Sequence, residues 1–277
     1  MKITILYEDA NLLVLNKPAG ISVHGDGKDT KEYTISDFIL ENYPSLKNIG
    51  EKMEIPRTGG GKIDILRPGI VHRLDKETSG ALIVAKNKKT FEFLKEQFQN
   101  HKIQKVYRAF VYGKVADPNA SLATGGRGVI SAPIGRSPND VRMWTAGRGA
   151  RSGNTELREA VTEYNVLERF YDTESELEMK KVEHQFSYIE AYPKTGRTHQ
   201  IRVHFRYINH PIVSDPLYSG KKEKALGMKR LALHAYRITF TLPKGESITI
   251  EAPLPTDFQQ VIKDYKLSKV AEKGHIC

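Results

Sequence analysis

Apolar and polar residues alternate from Met1 to Ile5, the apolar character continues to Tyr7, and residues 12–15 form a short unbroken apolar run. Residues 3–7 and this run both read as strands, joined by the turn-forming Glu8-Asp9-Ala10-Asn11. Lys17-Pro18-Ala19-Gly20 breaks the pattern as a loop. Thr34 is placed to cap a helix with Ile35, Phe38 and Ile39 on one face. Residues 48–68, rich in Gly, Lys and Arg and without period, read as an exposed loop. Residues 81–85 make a buried-strand candidate. Thr90 opens a helix with Phe91, Leu94 and Phe98 on one face, and residues 105–113 alternate as a strand. Two Gly/Arg clusters, 125–128 and 146–153, read as mobile around an ordered piece at 129–144. Strands follow at 161–167 and 186–192. A helix capped by Thr198 carries Ile201, Phe205 and Ile208 and stops at Asn209 before His210-Pro211. Strands at 231–242 and 247–251 precede a helix near 257–265, with a frayed basic tail beyond Lys266. No repeat and no dividing linker is visible. Helices and strands mix without regular βαβ alternation, which predicts an α+β fold.

Composition adds three constraints. The chain has 277 residues, enough for one large domain or two small ones. Lys and Arg outnumber Asp and Glu by 43 to 33, a net charge of +10, which fits either a solubility margin or a polyanionic partner. The one cysteine, Cys277, leaves no intrachain disulfide and fits a reducing cytoplasm. The longest apolar runs are far too short to span a bilayer, and the alternating N-terminus lacks a signal-peptide core.

The chemistry-bearing stretch is Gly69-Ile70-Val71-His72-Arg73-Leu74-Asp75-Lys76-Glu77-Thr78-Ser79-Gly80, set between a loop and the buried strand. Catalytic groups are often presented in this way. By residue chemistry alone an ordinary turn is the commoner reading, with Asp75 bonding the backbone near Glu77. In Lys194–Phe205 a helix N-terminus reinforced by Lys194 and Arg197 would attract an anion; the plain alternative is a solvated basic face. In residues 105–113 Tyr107, Ala109 and Val111 share one face, and such aromatics are more often core than catalytic. His199, His204 and His210 fall on different helical faces with no accompanying carboxylates, which argues against a metal site. Gly59-Gly60-Gly61-Lys62 lacks the glycine spacing and the Ser or Thr of a phosphate loop.

His72-Arg73-Leu74-Asp75 followed by Thr78-Ser79-Gly80 resembles the signature of the RluA-type pseudouridine synthases. Three further blocks match the same family in order. They are Leu13 to Gly20, Lys105-Val106-Tyr107-Arg108-Ala109, and Gly196-Arg197-Thr198-His199-Gln200-Ile201-Arg202-Val203-His204. Leu233-His234-Ala235-Tyr236 and Ala252-Pro253-Leu254-Pro255 are similar to family landmarks, so the resemblance runs from about residue 3 to 258. It implies a pseudouridine synthase fold of α+β class: a mixed, largely antiparallel sheet with flanking helices and a central basic cleft. The catalytic domain is expected over residues 1–262 without an N-terminal S4 domain, and 263–277 as a basic tail.

The resemblance also assigns roles. Asp75 is expected as the nucleophile, Arg202 as its ion-pair partner, and Tyr107 as a stacking and proton-transfer residue. Arg73 would fill the gap left by an extruded base. Lys17, His72, Lys105, Arg197 and His199 are expected to contact RNA. No metal or organic cofactor is expected. The implied partner is RNA, ribosomal first and transfer RNA second, with no membrane or DNA, for a cytoplasmic monomer. Two rivals are a catalytically silent RNA-binding protein on the same scaffold and an RNA-directed hydrolase using Asp75 as a base. The intact Asp75, Tyr107 and Arg202 set argues against the first. Against the second, Glu77 is the only additional carboxylate nearby.

Overall fold

Four consecutive apolar residues with no solvent exposure, Leu12 to Leu15, are the signature of a strand covered on both faces. They form β2 (Leu12–Lys17), which pairs antiparallel with β1 (Thr4–Glu8) on one side. The computed structural model describes residues 2–25, 32–56, 61–116, 127–147, 156–172, 184–222 and 224–266. They fall into two compact units, residues 1–105 with 235–253 and residues 106–234 with 254–277.

In the first unit, α1 (Ile35–Asn42) has a full capping box. The Thr34 hydroxyl accepts from the Asp37 amide, and the Asp37 carboxylate accepts from the Thr34 amide at 2.8 Å. Residues 48–68, expected as an exposed loop, instead begin at the end of a 3-10 turn (Pro44–Asn48) and form a hairpin, β3 (Gly50–Pro56) with β4 (Lys62–Pro68). The ribbon is an antiparallel ladder from Gly50–Pro68 to Pro56–Lys62, spanned by an exposed Lys62–Glu54 pair at 2.6 Å. Both strands do alternate, Lys52-Met53-Glu54-Ile55 and Lys62-Ile63-Asp64-Ile65, a period-2 signal that the Gly-, Lys- and Arg-rich composition of the stretch masks. The phosphate-loop-like glycines 59 and 60 lie outside the described residues.

β5 (Ser79–Ala85) is buried at each residue and pairs antiparallel with β2. α2 (Lys88–Gln99) starts earlier than expected, because Asn87 caps it by accepting from the Thr90 amide at 2.9 Å. Its apolar face, Phe91 and Leu94, packs with Leu12, Val14 and Ile83. Beyond β5 the strand order continues through β12 (Leu233–Thr241) to β13 (Ser247–Glu251).

In the second unit, strands run in the order β6, β11, β10, β7 with antiparallel neighbours. They are β6 (Gln104–Tyr112, whose first two residues belong to the first unit), β7 (Gly128–Ser131), β10 (Val161–Asp172) and β11 (His184–Pro193). β10 extends five residues past the expected end, because a register shift between Val166 and Glu168 hides its later alternation. A short hairpin joins β8 (Ile134–Arg136) to β9 (Trp144–Ala146). Phe110, Tyr188 and Phe258 stack at the centre of the core, with Phe258 supplied by α4 (Thr256–Asp264).

The expected Gly/Arg clusters lie largely outside the described residues. Arg127, at the edge of one, donates to Glu163 at 2.9 Å and lies over the Tyr192 ring at 4.1 Å. The tail beyond Lys266 also lies outside them. Strands and helices intermix as an α+β fold requires. No described helix is long and apolar enough to cross a membrane.

Gly80 links the chemistry-bearing loop to β5 at φ +119°, and a Cβ there would stand 2.2 Å from the Ala235 carbonyl oxygen. Both strain and overlap oppose any side chain. Gly80→Ala is expected to destabilise the protein by about 2–5 kcal/mol in urea unfolding. A loss under about 0.5 kcal/mol, the range of an unremarkable surface change, would contradict this account.

Candidate active site

The loop carrying Asp75 is fastened along its length. Gly69 has φ +64°, and a Cβ there would lie 2.2 Å from the Ala85 carbonyl oxygen, so only glycine lets the chain pass this close to β5. The Gly69 carbonyl accepts from Ala85 N–H at 2.8 Å, and Ile70 bridges to Val84. His72 Nε2 then accepts from Ile83 N–H at 2.8 Å, while its ring stacks on Phe98 at 4.6 Å. Burial, then the charges of Lys105 and Arg67, push this imidazole down to about 3, so at neutral pH it is an uncharged acceptor.

Asp75 itself is half-buried, between the buried Leu74 and the exposed Lys76. The turn expected here exists, closed by Thr78 N–H donating to the Asp75 carbonyl at 3.1 Å. From the other side, Gly20 N–H donates to the Lys76 carbonyl at 2.8 Å. Lys17 is fully buried. Its ammonium donates to the carbonyls of Pro18, Ile21 and Lys76 at 2.9, 2.8 and 3.0 Å. This corrects the expectation for Lys17: an ammonium sealed among three carbonyls holds the loop and does not reach out to a phosphate. Arg73 is exposed. Lys105 is half-buried, and desolvation lowers its ammonium to about 8.

In the second unit, the segment expected to be a basic helix is α3 (Gln200–Tyr207). Its cap is His199 in the left-handed conformation at φ +55°, not Thr198, and no side chain caps it. A solvated basic face does not describe it: Gln200, Arg202 and His204 are all buried, each with built partners. Gln200 accepts from the Thr195 hydroxyl at 2.7 Å and the Arg197 amide at 3.0 Å, and donates to Val161 O at 3.0 Å. His204 is held between the Thr162 hydroxyl at 2.9 Å and the Ala132 carbonyl at 3.0 Å. Burial lowers its pKa, consistent with a neutral ring.

Arg202 engages Asp215 through two charge-assisted bonds, Nε to Oδ2 at 2.8 Å and Nη2 to Oδ1 at 2.9 Å. The guanidinium also lies over the Tyr218 ring at 4.9 Å. Asp215 is 1 % exposed and accepts further bonds from the amides of Leu217 and Tyr218 at 2.9 and 3.1 Å. The Tyr218 hydroxyl receives Trp144 N–H at 2.9 Å and meets His199 Nδ1 at 2.8 Å. Arg197 is half-buried and gives Nε to the Glu159 carbonyl at 3.0 Å. Tyr107 is half-buried against the core of this unit.

The first unit thus carries Lys17, His72, Arg73, Asp75 and Lys105; the second carries Tyr107, Arg197, His199 and Arg202. Asp215 and Tyr218 are additions that the residue pattern did not single out. No local spacing links position 215 to 202, and Pro216 makes the stretch look like a plain turn. Among the described residues, no cluster of His, Cys, Asp and Glu could hold a metal ion. The first unit presents a carboxylate on a tethered loop, and the second holds a guanidinium that Asp215 grips through its Nε and Nη2.

Removing one partner of a buried pair strands the other charge. Asp215→Ala is expected to cost about 3–5 kcal/mol of stability, measured by chemical denaturation. Loss of less than about 1 kcal/mol, the value of an exposed pair, would contradict it.

Comparison with known proteins points one way. A family model described as RNA pseudouridylate synthase matches residues 11–207. The RNA pseudouridine synthase YlyB of Bacillus subtilis is 36% identical over 268 residues, covering 96% of this chain and 74% of that protein. The ribosomal large subunit pseudouridine synthase D of Neisseria meningitidis serogroup B is also 36% identical, over 96% of this chain and 62% of its own length. Among solved structures, human RNA pseudouridylate synthase domain containing 4 aligns with a TM-score of 0.62 at 27% identity, over 95% of this chain and 93% of that one. Human RNA pseudouridylate synthase domain containing 1 aligns at 0.65 and 22% identity over 96% of both chains, a likeness of fold alone. The α+β chain built around the Asp75 loop belongs to the RNA pseudouridine synthase family, isomerases that act on uridine in RNA.

Proposed function

We propose that Asp75 is the catalytic carboxylate of this isomerase, that Arg202 is its cationic partner, and that Tyr107 stacks on the uracil and moves a proton. In the reaction the C1′–N1 bond of a uridine breaks, the base turns, and C5 bonds to C1′. The proton leaves C5 and N1 gains one, so mass is unchanged. A carboxylate suits this either as a nucleophile at C1′ or as a base that strips a sugar proton. The observation that carries the reading is the tethering of the Asp75 loop within the segment that the family model matches. A reacting group needs that fixity to attack one atom. The edge-on grip of Asp215 on Arg202 supports the partner role, since it orients the guanidinium in advance.

Arg73, exposed on the same loop, is proposed to occupy the gap left by the extruded base. Lys105, Arg197 and His199 are proposed RNA contacts. His72 belongs with them by position, although its Nε2 is engaged with β5. The substrate is proposed to be large-subunit ribosomal RNA, on the name of the Neisseria relative; transfer RNA is the alternative that mapping of total RNA would reveal. We take residues 1–262 as one catalytic domain acting as a cytoplasmic monomer without metal or organic cofactor.

Asp75→Asn is expected to abolish conversion of uridine to pseudouridine while leaving RNA affinity within about twofold, a change well under 1.4 kcal/mol. Pseudouridine formed at the parent rate would refute the assignment. Lys105 is charged below about 8 and neutral above it, so its pull on phosphate is lost as pH rises through that value. RNA affinity is therefore expected to fall between pH 7 and 9 in the parent and to lose that step in Lys105→Met. An identical profile in both proteins would exclude Lys105 as a contact.

A further inference from the structure

The tethered loop brings cations together on a segment where the reading above uses only some of them. Arg67 closes β4 and stands opposite Glu51 across the hairpin. That carboxylate is already engaged by Lys95. Arg67 is half-buried, and its Nε is sealed from solvent without a hydrogen-bond partner. Six residues on, Arg73 is exposed, and between the two the chain is pinned to β5 at Gly69, Ile70 and His72. Among the described residues neither arginine forms an ion pair with a carboxylate.

These cations feel one another. The charge of Arg73 adds to desolvation in lowering Arg67, with Glu51 across the hairpin pulling the other way, and Lys105 and Arg67 both act on His72. The neutral His72 ring lies in the same neighbourhood and adds no positive charge of its own. The Nε is sealed, but the terminal nitrogens of Arg67 are not, and they have no hydrogen-bond partner among the described residues. Like charges held close on a rigid frame, with those nitrogens unanswered, favour an anion that enters from outside. A guanidinium fork matches a phosphate oxygen pair better than an ammonium does.

We propose that Arg67 forms a phosphodiester-binding site that holds the RNA backbone next to the target nucleotide, while Arg73, six residues on, adds its charge and keeps its own place in the base stack. The proposal rests on the reading of Asp75 as the catalytic residue only for what lies next to the site. Its ligand is a single-stranded RNA phosphate, and the base attached to it is not read. The site works by position: the strand that carries Arg67 continues directly into the loop that carries Asp75.

The test is the salt dependence of binding to a short fluorescein-labelled, uridine-rich single-stranded RNA. It is performed in the Asp75→Asn background so that the probe is not turned over. Arg67→Gln is expected to lower the slope of log affinity against log salt by about 0.7, the share of one phosphate on a single strand. Affinity should weaken about five- to tenfold at moderate salt, to the same extent for probes of different sequence. Arg67→Lys keeps the charge and should restore the slope. An unchanged slope in Arg67→Gln would overturn the site. A slope equally reduced in Arg67→Lys would also overturn it, since it would make Arg67 a structural residue. Failure of the Asp75 assignment would show elsewhere, as isomerisation that survives Asp75→Asn, and leaves this measurement intact.

Discussion

A guanidinium inside a protein must be met by acceptors, because neither its charge nor its donors tolerate an apolar wall. Arg202 is nearly sealed, and the solution is Asp215, itself sealed and saturated by Arg202 and two backbone amides. That single requirement organises the second unit's site. Asp215 accepts from the amides two and three residues ahead, Leu217 and Tyr218, so the chain turns directly after it, and Ser214 before it adopts φ +56°. The turn carries Tyr218 under the guanidinium and its hydroxyl to His199 and Trp144. One buried pair thereby fixes the start of α3, the hairpin β8–β9 and the loop after it.

The first unit solves a related problem with backbone groups. A loop that must present a polar residue cannot be buried whole, and a free loop would not hold that residue still. The chain here is tied to β5 by Gly69, Ile70 and His72, and to the loop after β2 by Lys17 and Gly20. Lys17 is the extreme case, a fully buried cation whose ammonium donates to three carbonyls. His72 is similar in kind: desolvation keeps it neutral, so its ring can accept a backbone bond where a charged ring could not. Residues that look like ligand contacts because they are basic can thus be the framework of the site. Arg67 and Arg73, which lack such partners among the described residues, are the better candidates for outward work.

Much of the fold was legible from periodicity because burial is two-sided in β2 and β5 and one-sided in α2. The hairpin β3–β4 escaped because its two short alternating runs, Lys52 to Ile55 and Lys62 to Ile65, sit in a stretch whose Gly, Lys and Arg content reads as a loop. The far end of β10 escaped because a bulge shifts the phase. The start of α3 was misplaced by one residue because Thr198 is a good capping residue, whereas His199 takes the left-handed conformation and bonds sideways to Tyr218.

By itself the sequence determined the family, through four motif blocks in order, and with it the α+β class and the identity of the carboxylate on which the chemistry is proposed to turn. Those are properties of local residue order, which a linear reading retains. Tertiary structure alone decided which polar residues serve the frame and which face outward. It spent Lys17 on three carbonyls, gave Arg202 to Asp215 thirteen residues away, and left Arg67 with an unanswered donor. Such outcomes depend on who is near whom after folding, and on how much water each charge has lost. Neither quantity is written in the spacing of residues along the chain.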